Sequence, residues 1–305
     1  MEYLQIKAID AHAYLDESRL SAHDLAHLAF ENNLSKIIVS PACTISHEPD
    51  KHPAMYWFQR QILKVGFLIS FARLISSSFY DKKGELRVFW RKFTREGRAL
   101  KKVIHPDNTS LAEKISPYDE VLQMWYWINP QDDIPVDEIK AVFNNKQIFG
   151  LKIHAYWHGV DLGRIDKYMQ LCQDLSCPLY LILGYGNSGD IRPLLNRHKG
   201  VKIIIGYGGF PIFKKVWKEI SAHENFFVDL ASFHLDRSLI KNLLKTLGSN
   251  RCIYGTDCPY NFSDVSGRFS YKKTRERLAY GFLTQDDYNK IFFQNIEKLS
   301  RDIIT

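Results

Sequence analysis

Short apolar runs alternate with stretches of helical spacing along most of the chain. Ile6 to Tyr14 opens the pattern as a strand. Ser21 to Asn33 follows as a helix, with Leu25, Leu28 and Ala29 on its buried stripe. Lys36 to Ser40 is a second strand, and its unbroken apolar run suits cover on both faces. Further strands are expected at Tyr118 to Asn129, Gly150 to Ala155, Pro178 to Tyr185, Val201 to Tyr207, Asn225 to Ala231 and Arg251 to Asp257. Helices fall between them at Pro135 to Phe143, Leu162 to Leu175, Ile191 to Arg197, Ile212 to His223 and Leu235 to Leu247. Helices also close the chain, the last around Thr284 to Ser300. Strands alternating with helices argue a parallel sheet, and this number of units argues a (β/α)8 TIM barrel, an α/β fold. The 305 residues are expected to form a single barrel domain.

Sites in such barrels lie at the carboxyl ends of the strands. That singles out Asp10, His12, Tyr14, Lys152, His154, Tyr185, Tyr207, Asp229 and Asp257. Period two puts Asp10, His12 and Tyr14 on one face, and Lys152 with His154 on another. It also expects Leu179, Leu181, Leu183 and Tyr185 to share an inward row, and Val201, Ile203, Ile205 and Tyr207 to do the same. Each row is then apolar below and polar at the mouth, as a filled barrel requires. Glycine beside each of the two tyrosines, at Gly184 and Gly206, lets another group approach the backbone closely.

Charge changes the picture in one place. The chain carries +7 overall. Between Lys51 and Lys102 there are thirteen Lys and Arg against three acids, so the remainder is net negative. This segment, about 50–105, interrupts the alternation after the second strand. Helical spacing over Tyr56 to Ser76 and Val88 to Val103 makes it a basic helical insertion rich in aromatics. Such interleaving can grip nucleic acid or an acidic surface. No nucleic-acid motif accompanies it, so a solvated basic face is the reading, with no nucleic-acid partner expected. No run of about 18 apolar residues predicts a membrane span, and the start of the chain reads as a strand rather than a signal peptide. Five irregularly spaced cysteines fit a reducing, cytoplasmic setting.

Several short motifs, taken in order, resemble those of the amidohydrolase-related metal-dependent hydrolases, in the branch that includes aminocarboxymuconate-semialdehyde decarboxylase. They are Ile9-Asp10-Ala11-His12-Ala13-Tyr14, Gly150-Leu151-Lys152-Ile153-His154, the two Gly-Tyr-Gly turns at Tyr185 and Tyr207, and Tyr254-Gly255-Thr256-Asp257-Cys258-Pro259. The ending from Ile291 to Leu299 resembles the family's final helix. The resemblance implies hydrolysis or decarboxylation of a small carboxylated or cyclic substrate by a metal-activated water. It implies a divalent metal, zinc or manganese, held by His12 and Asp257, and a homodimer.

The chain departs from the family pattern at three positions. Tyr14 stands for the second histidine of the first strand, Tyr185 for a ligand histidine on the fifth, and Tyr207 for a catalytic histidine on the sixth. Two ligands do not make a catalytic zinc site, which needs about three protein ligands. The site is therefore read as a degenerate one, re-made around hydroxyl groups. Asp257, His154 and Tyr207 are its candidate catalytic groups, with Lys152, Tyr14 and Tyr185 as substrate-binding groups. Plainer roles stay open: a core histidine for His12, a turn or helix cap for Asp257, a structural ion pair for Lys152. Asp229 and Ser232 read as loop-stabilising. The alternative function is a metal-free, non-catalytic barrel that binds a small molecule or a partner protein.

Overall fold

The computed structural model describes residues 6–42, 105–184, 186–260, 262 and 268–300. The expected helices of the basic insertion, and Tyr185, lie outside the described residues. Eight parallel strands stand in sequence order. They are β1 Ala8–Leu15, β2 Leu34–Pro41, β3 Leu122–Ile128, β4 Ile148–His154, β5 Leu179–Ile182, β6 Ile203–Ile205, β7 Phe226–Asp229 and β8 Cys252–Ile253. The expected TIM barrel is what the chain forms, with most strands shorter than the apolar runs suggest.

β8 pairs with β7 over only two residues because the chain beyond it turns its hydrogen bonds to β1. Ala11 N–H donates to the Tyr254 carbonyl at 3.0 Å, and Tyr14 N–H to that of Cys258 at 2.7 Å. The Asp257 N–H returns a bond to the His12 carbonyl at 2.7 Å. These bonds close the barrel, and they bring the carboxyl ends of β1 and β8 side by side.

Helix α1, Ala22–Glu31, starts in a capping box made by Ser21 and Asp24. Helix α2, Asn108–Ile115, is not expected from the sequence pattern; Asp107 caps it. The Asn108 side chain accepts from Trp127 N–H and donates to Trp127 C=O, at 2.9 and 2.8 Å, which pins α2 to β3. The closing helix runs from Gln285–Asn289 through a π-helical turn at Lys290–Gln294 to Asn295–Glu297.

Two apolar clusters split the buried residues. The larger one joins strand residues such as Ile37, Val39, Leu181 and Ile205 to helical ones such as Leu171, Leu194 and Val216. The smaller one joins Ile9, Ala11, Ile38, Trp125, Tyr180, Ile182, Ile204 and Ile253. The second contains residues that reach the site, so it is the barrel interior.

This division corrects two parity expectations. On β5 the inward residues are Tyr180 and Ile182, while Leu179, Leu181 and Leu183 belong to the layer under the helices. On β6 Ile204 faces in, and Ile203 and Ile205 face out. Both faces of these strands are covered, so both rows are apolar and alternation carries no sign. On β1, Asp10 pairs with Ile37 and Ala13 with Val39, so three residues of one strand match two of the other. The extra residue is a bulge, which re-aims the chain. Asp10 consequently turns to Thr256 and Tyr271, while His12 and Tyr14 turn inward.

Candidate active site

His12, at the end of β1, is wholly buried and lies at the centre of the site. Its Nδ1 is 2.8 Å from Asp229 Oδ2 and 2.6 Å from the Tyr180 hydroxyl. Tyr180 also donates to Asp229 Oδ2. On the other side of the ring, Nε2 is 3.2 Å from the Tyr14 hydroxyl and 3.9 Å from Asp257 Oδ1. Burial, and after it the charge of Lys152, pushes the imidazole down to about 4, against the pull of Asp229. His12 is therefore neutral at physiological pH.

Asp257 follows β8, and its Oδ1 accepts from Tyr207 at 2.5 Å. Burial pushes its carboxyl up to about 8, outweighing the Tyr207 hydrogen bond and the Lys152 charge. Both partners have left-handed backbones, with φ of 61° at Asp257 and 53° at Tyr207. Such a conformation costs a non-glycine residue roughly 1–3 kcal/mol, and it gathers at functional sites.

Lys152, on β4, is fully buried. Its Nζ donates to Ser40 Oγ at 2.9 Å. It lies 4.0 Å from the centre of the Tyr14 ring and 5.3 Å from those of Trp127 and Tyr180. Aromatic faces attract a cation, by about 2 kcal/mol or more when desolvated. The lysine thus sets its Nζ among the rings of Tyr14, Trp127 and Tyr180.

The structure brings together five of the residues expected at the site: His12, Tyr14, Lys152, Tyr207 and Asp257. His154, the fourth-strand candidate, ends β4. Its Nδ1 accepts from Trp157 N–H and caps the short helix Ala155–His158, and its ring stacks on Trp127. Tyr185 lies outside the described residues. Two further members were not assigned to the site by the sequence reading. Asp229 reads there as a loop residue, and Tyr180 is lost in an apolar run. A signal existed for Tyr180: a phenol in a strand covered on both faces must find a partner for its hydroxyl.

Two glycines make room for this cluster. A Cβ on Gly206 would come within 3.0 Å of the Tyr180 ring and hydroxyl. A Cβ on Gly255 would lie 3.0 Å from His12 Cβ and 3.1 Å from Asp229 Oδ2. The close approach expected at the glycine beside Tyr207 is that of Tyr180.

Among the described residues, the donor set does not suit a divalent metal. Among the described residues, no group of three His, Cys, Asp or Glu can hold an ion. His12 Nε2 and one Asp257 oxygen face each other, and the neighbouring groups are phenols. A phenol with its ordinary pKa near 10 is a weak ligand for zinc or manganese.

Comparison with known proteins agrees with the fold. The 2,6-dihydroxybenzoate decarboxylase from Rhizobium is 14% identical, covers 96% of this chain and 98% of its own, and superposes with a TM-score of 0.58. The 5-carboxyvanillate decarboxylase from Novosphingobium aromaticivorans, complexed with manganese, is 12% identical over 98% of this chain and 97% of its own, with a TM-score of 0.56. A protein assigned as a 2-pyrone-4,6-dicarboxylic acid hydrolase from Acinetobacter baumannii, with citric acid bound, is 12% identical over 96% and 99%, with a TM-score of 0.61. At these identities the likeness is one of fold. No functionally curated protein matches the chain. The Amidohydro_2 family model, described as amidohydrolase, matches residues 93–301. That match takes in β3 to β8, and with them Lys152, Tyr207 and Asp257, so the protein belongs to the amidohydrolase family.

Proposed function

We propose that the protein is a hydrolase or decarboxylase of a small carboxylated or cyclic substrate. We further propose that it works by acid–base chemistry at His12 and Asp257 rather than through a three-ligand metal. The observation that carries this reading is the facing pair itself. A neutral imidazole with Nε2 toward the site stands 3.9 Å from a carboxyl that burial pushes up to about 8. One is a proton acceptor and the other a proton donor at neutral pH, and groups with pKa values pushed apart in this way suit acid–base work.

In decarboxylation, carbon dioxide leaves its bonding electron pair on carbon, and that carbon must take a proton. In this reading Asp257 supplies it. In hydrolysis, His12 takes the proton of the attacking water and Asp257 gives one to the leaving oxygen. Tyr207 steadies the carboxyl through its short hydrogen bond, and Tyr14 offers a hydroxyl beside Nε2. Lys152 favours a substrate that carries negative charge. The Trp127 indole supports this preference: its Nε1–H is buried without an acceptor among the described groups, beside the lysine. An anionic substrate group would satisfy that donor.

Several of the structural neighbours act on aryl or pyrone carboxylates, as their descriptions state. Those compounds set the first panel. Full-length protein is incubated with hydroxybenzoates, vanillate carboxylates and pyrone dicarboxylates, and carbon dioxide release or ring opening is followed. Turnover that disappears in Asp257→Asn and falls in Tyr207→Phe supports the reading. Equal turnover in wild type and Asp257→Asn removes it.

A homodimer and a cytoplasmic location belong to the same reading. Phe30 on α1 is 88% exposed, which suits an association surface. A monomer mass by light scattering would remove the dimer. Among the described residues, no helix is long and apolar enough to cross a membrane.

A further inference from the structure

We infer that Asp229 and Tyr180 are positioning residues: together they hold His12 in the tautomer protonated at Nδ1, so that the Nε2 lone pair is aimed at Tyr14 and Asp257. The inference rests on the acid–base reading above and gives it a device that neither residue's place in the sequence reveals.

The argument is one of donors and acceptors. Two oxygens sit against His12 Nδ1, Asp229 Oδ2 at 2.8 Å and the Tyr180 hydroxyl at 2.6 Å. The single hydroxyl proton of Tyr180 goes to Asp229 Oδ2. Both oxygens therefore present lone pairs to Nδ1, and a neutral imidazole meets them only as Nδ1–H. Its other nitrogen is then the acceptor, and the Tyr14 hydroxyl donates to it at 3.2 Å. A carboxylate on one ring nitrogen setting the role of the other is a general way to orient a histidine.

The surroundings are built for this contact. The other oxygen of Asp229 accepts from Ala231 N–H at 3.1 Å, which fixes the carboxylate. Gly206 leaves the space that Tyr180 fills, and Gly255 leaves the space where His12 and Asp229 meet. β1, β5 and β7 each contribute one side chain to the contact, and the glycines follow β6 and β8. A loop-stabilising aspartate would need none of this.

The test is a tautomer measurement on the full chain. Long-range 1H–15N spectra of histidine-labelled protein at neutral pH distinguish the two nitrogens, and the His12→Gln variant assigns the His12 signals by their loss. Wild type is expected to show the Nδ1–H form. Asp229→Asn is expected to shift His12 toward Nε2–H, because the amide can donate to Nδ1. With any substrate found, kcat in that variant falls by roughly 10²–10⁴, with KM little changed. Tyr180→Phe keeps Asp229 but removes the second oxygen at Nδ1, and is expected to hold the Nδ1–H form less completely than wild type. An Nε2–H signal in wild type, or an unchanged tautomer in Asp229→Asn, overturns the inference. If Asp229→Asn does not fold, the wild-type and Tyr180→Phe spectra decide. The tautomer is read without substrate, so a panel that yields no turnover would count against the proposed function and leave this result standing.

Discussion

The adjoining ends of β1 and β8 hold two buried aspartates in contrasting settings. Asp10 accepts from the backbone N–H groups of His12 and Thr256, each at 3.1 Å, and from the hydroxyls of Thr256 and Tyr271 at 2.5 and 2.9 Å. It ties β1, the chain after β8 and the helix Tyr271–Arg277 into one joint. Asp257 sits one residue beyond Thr256, on a left-handed backbone, bonded to a tyrosine and facing a histidine. Burial pushes both carboxyls up, to about 7 at Asp10 and about 8 at Asp257. A raised carboxyl alone therefore does not mark a catalytic group. What separates the two is the company: Asp10 faces donors that lock a closure, and Asp257 faces a tyrosine and the imidazole of His12. The β1 bulge makes the separation, because it sends Asp10 one way and His12 the other.

Substitution at each aspartate should break the comparison in opposite ways. Asp257→Asn and His12→Gln are expected to lower turnover by roughly 10²–10⁴ while the protein still unfolds cooperatively near the wild-type temperature. Asp10→Ala should do the reverse in kind. It leaves two N–H and two hydroxyl donors without their acceptor, at roughly 1–3 kcal/mol for each one left unsatisfied. Urea titration should show at least about 3 kcal/mol of lost stability. Equal stability loss at both positions would mean that Asp257, too, is only a joint.

A smaller effect sharpens the same contrast through pH. The base must be unprotonated, so turnover is lost as pH falls through about 4, the value for His12. The acid must be protonated, so turnover is lost as pH rises through about 8, the value for Asp257. The stability sign follows from the same group. Its folded value is raised above the ordinary 3.8, so the stability given by the neutral carboxyl is full below about 4 and lost as pH rises through about 8. Wild-type melting temperature should decline across that window, and Asp257→Asn should flatten the decline. Smallest of the four is Gly255→Ala. Its added methyl should part His12 from Asp229 and cost roughly 1–3 kcal/mol, measured by thermal unfolding. Its tautomer signal should weaken toward that of Asp229→Asn.

Much of this was legible in the chain. The eight apolar runs and their spacing give the barrel, and the ends of β1, β4, β6 and β8 give His12, Tyr14, Lys152, Tyr207 and Asp257. Three kinds of information were not. Strand parity failed on β5 and β6 because both faces are apolar, which hid Tyr180. The bulge on β1 cannot be seen in a run where alanines alternate with polar residues, so Asp10 was grouped with His12. The local hydrogen bond of His154, the cap on Trp157, is one that no periodicity reports. Asp229 was visible as a polar residue at a strand end, but its partner Tyr180 was not.

The most direct test of the central claim is the metal content of protein purified without a chelating tag and then exposed to manganese or zinc, beside the His12→Ala, Asp257→Ala double variant. The account predicts no stoichiometric ion that depends on these two residues, and tautomer signals for His12 that the added metal does not move. One equivalent of metal in wild type, absent from the double variant and accompanied by loss of the free Nε2 signal, would contradict it.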